Sequence, residues 1–483
     1  MAALSGSWAL ATPVAGSADE PAHVNHAAAI ARGELTGATL RPPVQGVVSV
    51  ELPASYGFAA RRAHCFAGLA NEDASCFHFR GSESATEPVL TDAGRHPPAY
   101  YVLVGVVSRV MPTAAGAVYV MRAMTVLMTA LFLTMAVHAL LRAQAPRLVL
   151  TGLVVALTPM VLAFSGVVNP SALETAAAVA TWACGLTLIG EVRRGEPPDR
   201  GLVSQLGIAA SAFVLSRQIS MFWIAIIGVI FASLLGMDEL RRLSRAVAAR
   251  AWAAVVVACT LLQLAWIRFA HGLDLSMLRT ADPNRPVSEI VRTTVGRSSR
   301  LFVEMLGIPG SLDARLLALT YLLLIAALGA LMLSAVALGS RRYVIAMLAA
   351  LVITVVVPIG LEAVQAREYG FYWQGRYTLP FAVGVPLLAA FALQWGPSPR
   401  LFVRGAFIPT IGGMVVVAQF LGFYQALRRW SVGANGAVVY WLEPEWNAPV
   451  PQWLLIVVYG AVFGATVVWL LGTGRAVPSV VSR

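Results

Sequence analysis

A chain of 483 residues that is 58% hydrophobic and only 12% charged lacks the polar residues an ordinary water-facing surface needs. A lipid bilayer accepts such side chains, because each helix satisfies its own backbone hydrogen bonds there. The formal net charge is +11 and all 35 basic residues are arginine. They fall between apolar runs and not along one stripe, which argues against nucleic acid and for the arginine bias of cytoplasmic loops.

Residues 1–18 are mildly apolar, with no arginine before Arg32, so they read as the outer half of a partial first transmembrane helix and not as a signal peptide. Residues 19–113 form an extracytoplasmic loop with short helices; Ala27 to Leu35 is one such helix and Arg41-Pro42-Pro43 an extended stretch. Cys65 and Cys76 share this loop and can bridge if it faces an oxidising compartment. The segment 114–483 is a helical bundle. Its apolar runs lie near 114–141, 148–166, 171–190, 202–217, 219–236, 250–267, 314–338, 343–362, 377–394, 405–425 and 452–472. The expected fold is therefore an all-α integral membrane protein of about eleven complete spans plus the partial first helix. Arginines occupy every second connection, at 142 and 147, 193–200, 241–250, 341–342 and 400–404, so these face the cytoplasm. The remaining connections, including 268–313 and 363–376, face outward.

Five groups of residues can carry chemistry. Asp19 and Glu20 stand side by side above the first helix, with His23 one turn on; they read either as an acid–base or divalent-ion site (Mg or Mn) or as a solvated helix cap. Gln374-Gly375-Arg376-Tyr377 re-enters the membrane, where arginine suits phosphate and the aromatic neighbours equally suit interfacial anchoring. Asn169 and Glu174 flank a short outer turn; Ser171 and Glu174 have capping-box spacing, and the alternative is an amide or carboxylate reaching an outer cavity. Arg217 breaks the positive-inside pattern and Arg122 lies within a span, so each either has an anionic partner, for which Glu304, Asp313 and Glu362 qualify, or snorkels. Arg95, before His96-Pro97-Pro98, either holds phosphate or belongs to a structural turn. The tryptophans around 430–453 suit interfacial anchoring, with sugar stacking as the minor reading. Nucleotide-loop, His-Glu-x-x-His and Cys-x-x-Cys motifs are absent, which argues against an ATP-driven pump, and no pair of broken inverted repeats marks a secondary transporter.

In order, the acidic pair with its histidine, the long outer loop ending in Pro97-Pro98-Ala99-Tyr100-Tyr101, the stretch Thr158-Pro159-Met160 to Asn169-Pro170-Ser171 and Glu174, and Gly375-Arg376-Tyr377 with Pro380 resemble a bacterial membrane-protein family labelled as a domain of unknown function. That family is grouped with the GT-C membrane glycosyltransferases. The resemblance implies transfer of sugar from a polyprenyl-phosphate donor to a glycan or lipid acceptor outside the cytoplasm of a bacterial cell, at the inner membrane. It implies Asp19 as catalytic acid, with Glu20 the alternate and His23 the third member, and Arg376 and Arg217 as donor-phosphate ligands. A flippase for lipid-linked saccharides and a non-catalytic envelope-assembly protein are the competing expectations.

Overall fold

The computed structural model describes residues 1–473 apart from 41–43, 45, 275–277 and 279, so the expected extended stretch at Arg41-Pro42-Pro43 lies outside the described residues. Helix α1 (Ala2–Ala11) is buried and spans about 15 Å, half the hydrocarbon thickness. It is followed by α2 (Glu20–Ile30), β1 (Ala38–Thr39), β2 (Val48–Pro53), α3 (Ala54–Arg62), β3 (Thr86–Thr91) and α4 (Pro98–Ser108). The outer segment is therefore not purely helical. It holds a three-stranded antiparallel sheet of order β1-β2-β3, with Val50 opposite Val89, and the alternate burial of β2 seats Val48, Val50 and Leu52 inward. Its first helix begins at Glu20, seven residues before the one read from sequence. Cys65 and Cys76 are disulfide-bonded.

The bundle runs α5 (Ala114–Leu141), α6 (Pro146–Ala156), α7 (Pro159–Phe164), α8 (Pro170–Arg193), α9 (Arg200–Ser216), α10 (Ser220–Leu234), α11 (Met237–Arg245), α12 (Val247–Ala270), α13 (Val287–Gly307), α14 (Ala318–Leu338), α15 (Arg341–Tyr369), α16 (Gly375–Ala382), α17 (Gly384–Gln394), α18 (Pro399–Arg404), α19 (Phe407–Val432) and α20 (Gln452–Thr473). Among the described residues eight helical stretches are long and apolar enough to cross a membrane, and α16 with α17 makes one of them. The runs at 202–217 and 219–236 are helices of 17 and 15 residues. The run at 148–166 is split, because Thr158 caps a new helix that starts at Pro159. The chain is an all-α membrane protein in class, with the small sheet as its one β element among the described residues.

Small residues explain the tight centre. Helix α8 is alanine-rich and buried throughout its apolar window, with α5 and α9 packed on it. Gly384 lies against the Trp182 ring, where an added Cβ would approach to 2.2 Å. The outer segment is tied to the bundle by Arg429 of α19, which donates to the carbonyls of Phe66, Leu69 and Glu72 and to Asp313 (2.6 Å). Connections that sequence places outward meet one another: Arg95 with Asp274, His96 with Gln218, Asn169 with Ala18. Connections that it places inward do likewise, as in Arg142 with Glu191 and Asp199.

Candidate active site

The carboxylates of Asp19 and Glu20 diverge. Glu20 is fully buried and receives Arg122 through Nε (2.8 Å) and Nη2 (2.6 Å), plus the Val168 N–H (3.1 Å). Arg122 also donates to the carbonyls of Ala9, Thr12 and Pro13, fixing the end of α1. Glu20 is thus no alternate base and no metal ligand beside Asp19; both its oxygens are occupied away from the open side. Arg122 has its partner here, and not in Glu304, Asp313 or Glu362.

Asp19 precedes α2 with φ 60°, a left-handed conformation that aspartate tolerates better than most residues. The Ala18 N–H donates to Gly310, and Asn169 donates to the Ala18 carbonyl, so the turn is held on both sides. The Asp19 carboxylate accepts a hydrogen bond from Nη2 of Arg376. Its side chain is 45% exposed, whereas that of Arg376 is 1% exposed. Burial within the recess would raise the Asp19 pKa. Arg376, by charge and hydrogen bond, together with Arg217 and His96, outweighs this and holds it below the usual value.

Arg376 opens α16, and its Nη2 also reaches the Tyr377 hydroxyl (3.2 Å). Its Nε and Nη1 are buried and find no hydrogen-bond acceptor among the described residues. Tyr377 is sandwiched by cations, with Arg217 4.9 Å and Arg376 5.1 Å from its ring centre. Arg217 donates to Ser171 (2.8 Å) and stands 3.9 Å from Glu174, a buried carboxylate that Ser220 also holds. Asp19, Arg376, Tyr377 and Arg217 therefore form one cluster from three distant parts of the chain.

Two expected ligands, Asn169 and Arg95, and the expected catalytic member His23 are engaged within the fold. Asn169 caps α8, accepting from the Ser171 N–H (2.9 Å), so Ser171 is not the cap and no capping box with Glu174 forms. Arg95 is committed to Asp274 (2.8 Å). His23 bonds the Tyr101 hydroxyl (2.8 Å) and packs against His96, out of hydrogen-bonding contact with Asp19. Burial, then the charges of His96 and Arg217, keeps His23 neutral; burial and Arg217 hold His96 at about 4.

Asp19 and Tyr377 line a cleft of about 310 Å³ whose other walls include Asp92, Arg297, Arg300, Phe371 and Tyr372, which sequence reasoning missed, and Glu304, which it named only as an arginine partner. The arginines ride on α13, which the sequence reading treated as loop because its charge hides its length. Proline 286 before it and the Arg300–Glu304 spacing were the available signals. Arg297 is paired with Glu362 (3.1 Å), while Arg300 is 61% exposed and paired with Glu304 (3.0 Å). Glu304 also accepts the Gly375 N–H (2.8 Å), anchoring the start of α16. Asp92 is exposed at the rim of the cleft, and its pKa is raised to about 6 by partial desolvation from the surrounding protein and then by the charge of Asp19. On their other faces, Phe302, Met305 and Leu306 of α13 and Leu379 and Ala382 of α16 line a separate apolar pocket. No group of three or more His, Cys, Asp or Glu suited to a metal ion occurs among the described residues.

The arrangement offers anionic and cationic groups and aromatic faces in one cleft. No curated protein matches the chain, and no solved structure matches it. Residues 3–385, well over half of the sequence, match the family described as predicted membrane protein (DUF2142). The chain is a multi-pass membrane protein, and it belongs to that family.

Proposed function

We propose that the protein is a membrane glycosyltransferase of GT-C type, which moves a sugar from a polyprenyl-phosphate carrier to a glycan or lipid acceptor on the outer side of a bacterial inner membrane. The observation that carries this reading is the gathering of arginines, carboxylates and aromatic faces in one cleft lined by Asp19, Asp92, Arg297, Arg300 and Tyr377. A sugar-phosphate head fits those groups, and its hydrocarbon chain would stay in the surrounding lipid. Arg300 and Arg297 front the cleft, so they meet the phosphate first and offset the charge it gains as the sugar departs. Arg376, with unused donors behind Asp19 and Tyr377, supports the same charge from the wall. The faces of Tyr372, Trp373 and Tyr377 suit a sugar ring. In this reading all eleven apolar runs cross the bilayer, and residues 19–113 form the outer domain. A divalent ion is not required, since arginine supplies the countercharge.

The test uses the full chain in proteoliposomes with radiolabelled undecaprenyl-phosphate hexose and membrane glycan as acceptor. Transfer is expected in the parent, and Arg300→Gln should weaken undecaprenyl phosphate binding by roughly tenfold to a hundredfold, the worth of one charge-assisted contact. Translocation of the lipid-linked sugar without transfer would establish the flippase instead. If neither occurs, and Asp19 and Arg376 can be replaced without effect on envelope glycans, the protein is a non-catalytic assembly factor.

A further inference from the structure

We propose that Asp92 is the proton acceptor of the cleft, beside an Asp19 whose carboxylate is committed to orienting Arg376. This rests on the glycosyl-transfer reading and assigns a role within it to a residue that no motif indicated. Asp92 follows β3 at the rim of the cleft and opens into the same cavity as Asp19. Its turn is fixed: the Thr91 hydroxyl donates to the Ala22 carbonyl (2.9 Å) and accepts the Ala93 N–H (3.1 Å). Among the described residues the Asp92 carboxylate takes a hydrogen bond from its own backbone N–H and forms no ion pair. Every other carboxylate of the cleft is engaged, Asp19 with Arg376 and Glu304 with Arg300 and Gly375.

A base must have a free lone pair at the moment of reaction and a proton affinity near the working pH. Asp19 keeps Oδ1 free, since Arg376 holds only Oδ2, but the same guanidinium lowers its pKa and so fails the second condition. Asp92 meets both, with a value near 6 set by its surroundings. Facing it are Asp19, Arg376, Arg297, Arg300 and Glu304, with the phenols of Tyr372 and Tyr377. Beneath it His23 and His96 stay neutral, and Tyr101 keeps its proton because burial raises its pKa. Two carboxylates pushed apart in proton affinity divide the labour between them.

The step balances as a single displacement. The acceptor hydroxyl gives its proton to an Asp92 oxygen while its own electron pair forms the bond to the anomeric carbon. The bond from that carbon to the phosphate oxygen breaks, and its electron pair leaves on the lipid phosphate, opposite Arg300 and Arg297. The anomeric configuration inverts.

The experiment compares the parent with Asp92→Asn, Asp92→Glu and Asp19→Asn, all as full chains in proteoliposomes. Transfer is read with radiolabelled undecaprenyl-phosphate hexose, and binding of undecaprenyl phosphate by tryptophan fluorescence. Asp92→Asn should lose about 10²–10⁴-fold in kcat while its undecaprenyl phosphate affinity changes by less than about threefold. The deprotonated carboxylate is the active form, so kcat/KM of the parent should rise with pH through about 6. That limb should persist in Asp19→Asn but move to lower pH, because the Asp19 charge that raises it is gone, vanish in Asp92→Asn, and return in part with Asp92→Glu. An Asp92→Asn protein with parental transfer, with the limb retained, or with undecaprenyl phosphate binding lost would overturn the assignment. An active parent with an active Asp92→Asn removes this inference alone; a parent without transfer removes the glycosyl-transfer reading along with it.

Discussion

Removing one partner of the Glu20–Arg122 pair strands the other charge in a fully buried setting. Glu20→Gln is therefore expected to destabilise the fold by about 3–5 kcal/mol, read as a lower unfolding temperature in detergent. Replacing both residues by leucine should recover much of that loss, since apolar neighbours need no compensating charge. Asp19→Asn, one position earlier, takes the countercharge from the buried Arg376 and should also lower the unfolding temperature, but by less than Glu20→Gln, because the Asp19 side chain is itself half exposed. Asp19 was legible in the sequence as an acid at the outer end of a helix. The separate employment of Glu20 was not, since its partner lies 102 residues away and only packing brings it close. Asp92 was illegible for the opposite reason: it has no partner and no motif, and its significance comes from the walls around it.

Helix α13 shows why element-level reading fell short at the site. An apolar-run search passes over it, because Arg292, Arg297, Arg300 and Glu304 share its length. Three of those charges are paired, Arg300 with Glu304 one turn on and Arg297 with Glu362 of α15, which supports the helix. Helix α16 approaches α13 very closely at Gly375, where a Cβ would come within 2.4 Å of the Leu301 carbonyl oxygen and 2.7 Å of the Glu304 Cβ. Gly375→Ala should push the two helices apart, at a cost of about 1–3 kcal/mol. Because the Gly375 N–H bond to Glu304 would break with it, undecaprenyl phosphate binding should weaken in parallel with unfolding temperature. Unchanged binding in a destabilised variant would uncouple the helix contact from the cleft. By contrast, the runs that became α5, α8, α12, α14, α15, α19 and α20 were plain in the sequence, where apolar length alone decides.

Across the whole molecule, the arginine alternation predicts a sidedness that labelling can check. With Cys184 and Cys259 replaced, Asp238→Cys on the exposed face of α11 should react with an impermeant maleimide only in inside-out vesicles. Ser84→Cys in the outer segment should react only in right-side-out ones. Reaction of both from the same side would refute the topology. The bundle was readable because lipid imposes one rule on every span, whereas the outer segment obeys no such rule. Its sheet is short, interrupted by turns and built on pairing between residues about forty positions apart, such as Val50 and Val89.

The grip of Arg429 on three carbonyls of the outer segment has a bearing on traffic. A roof bolted down from below in this way is a poor hinge: swinging it upward would break all three bonds at once and leave the cation only Asp313. On the glycosyl-transfer proposal, the lipid donor would then come in sideways along the leaflet, and such an entrance would favour molecules already dissolved in the membrane over freely diffusing ones.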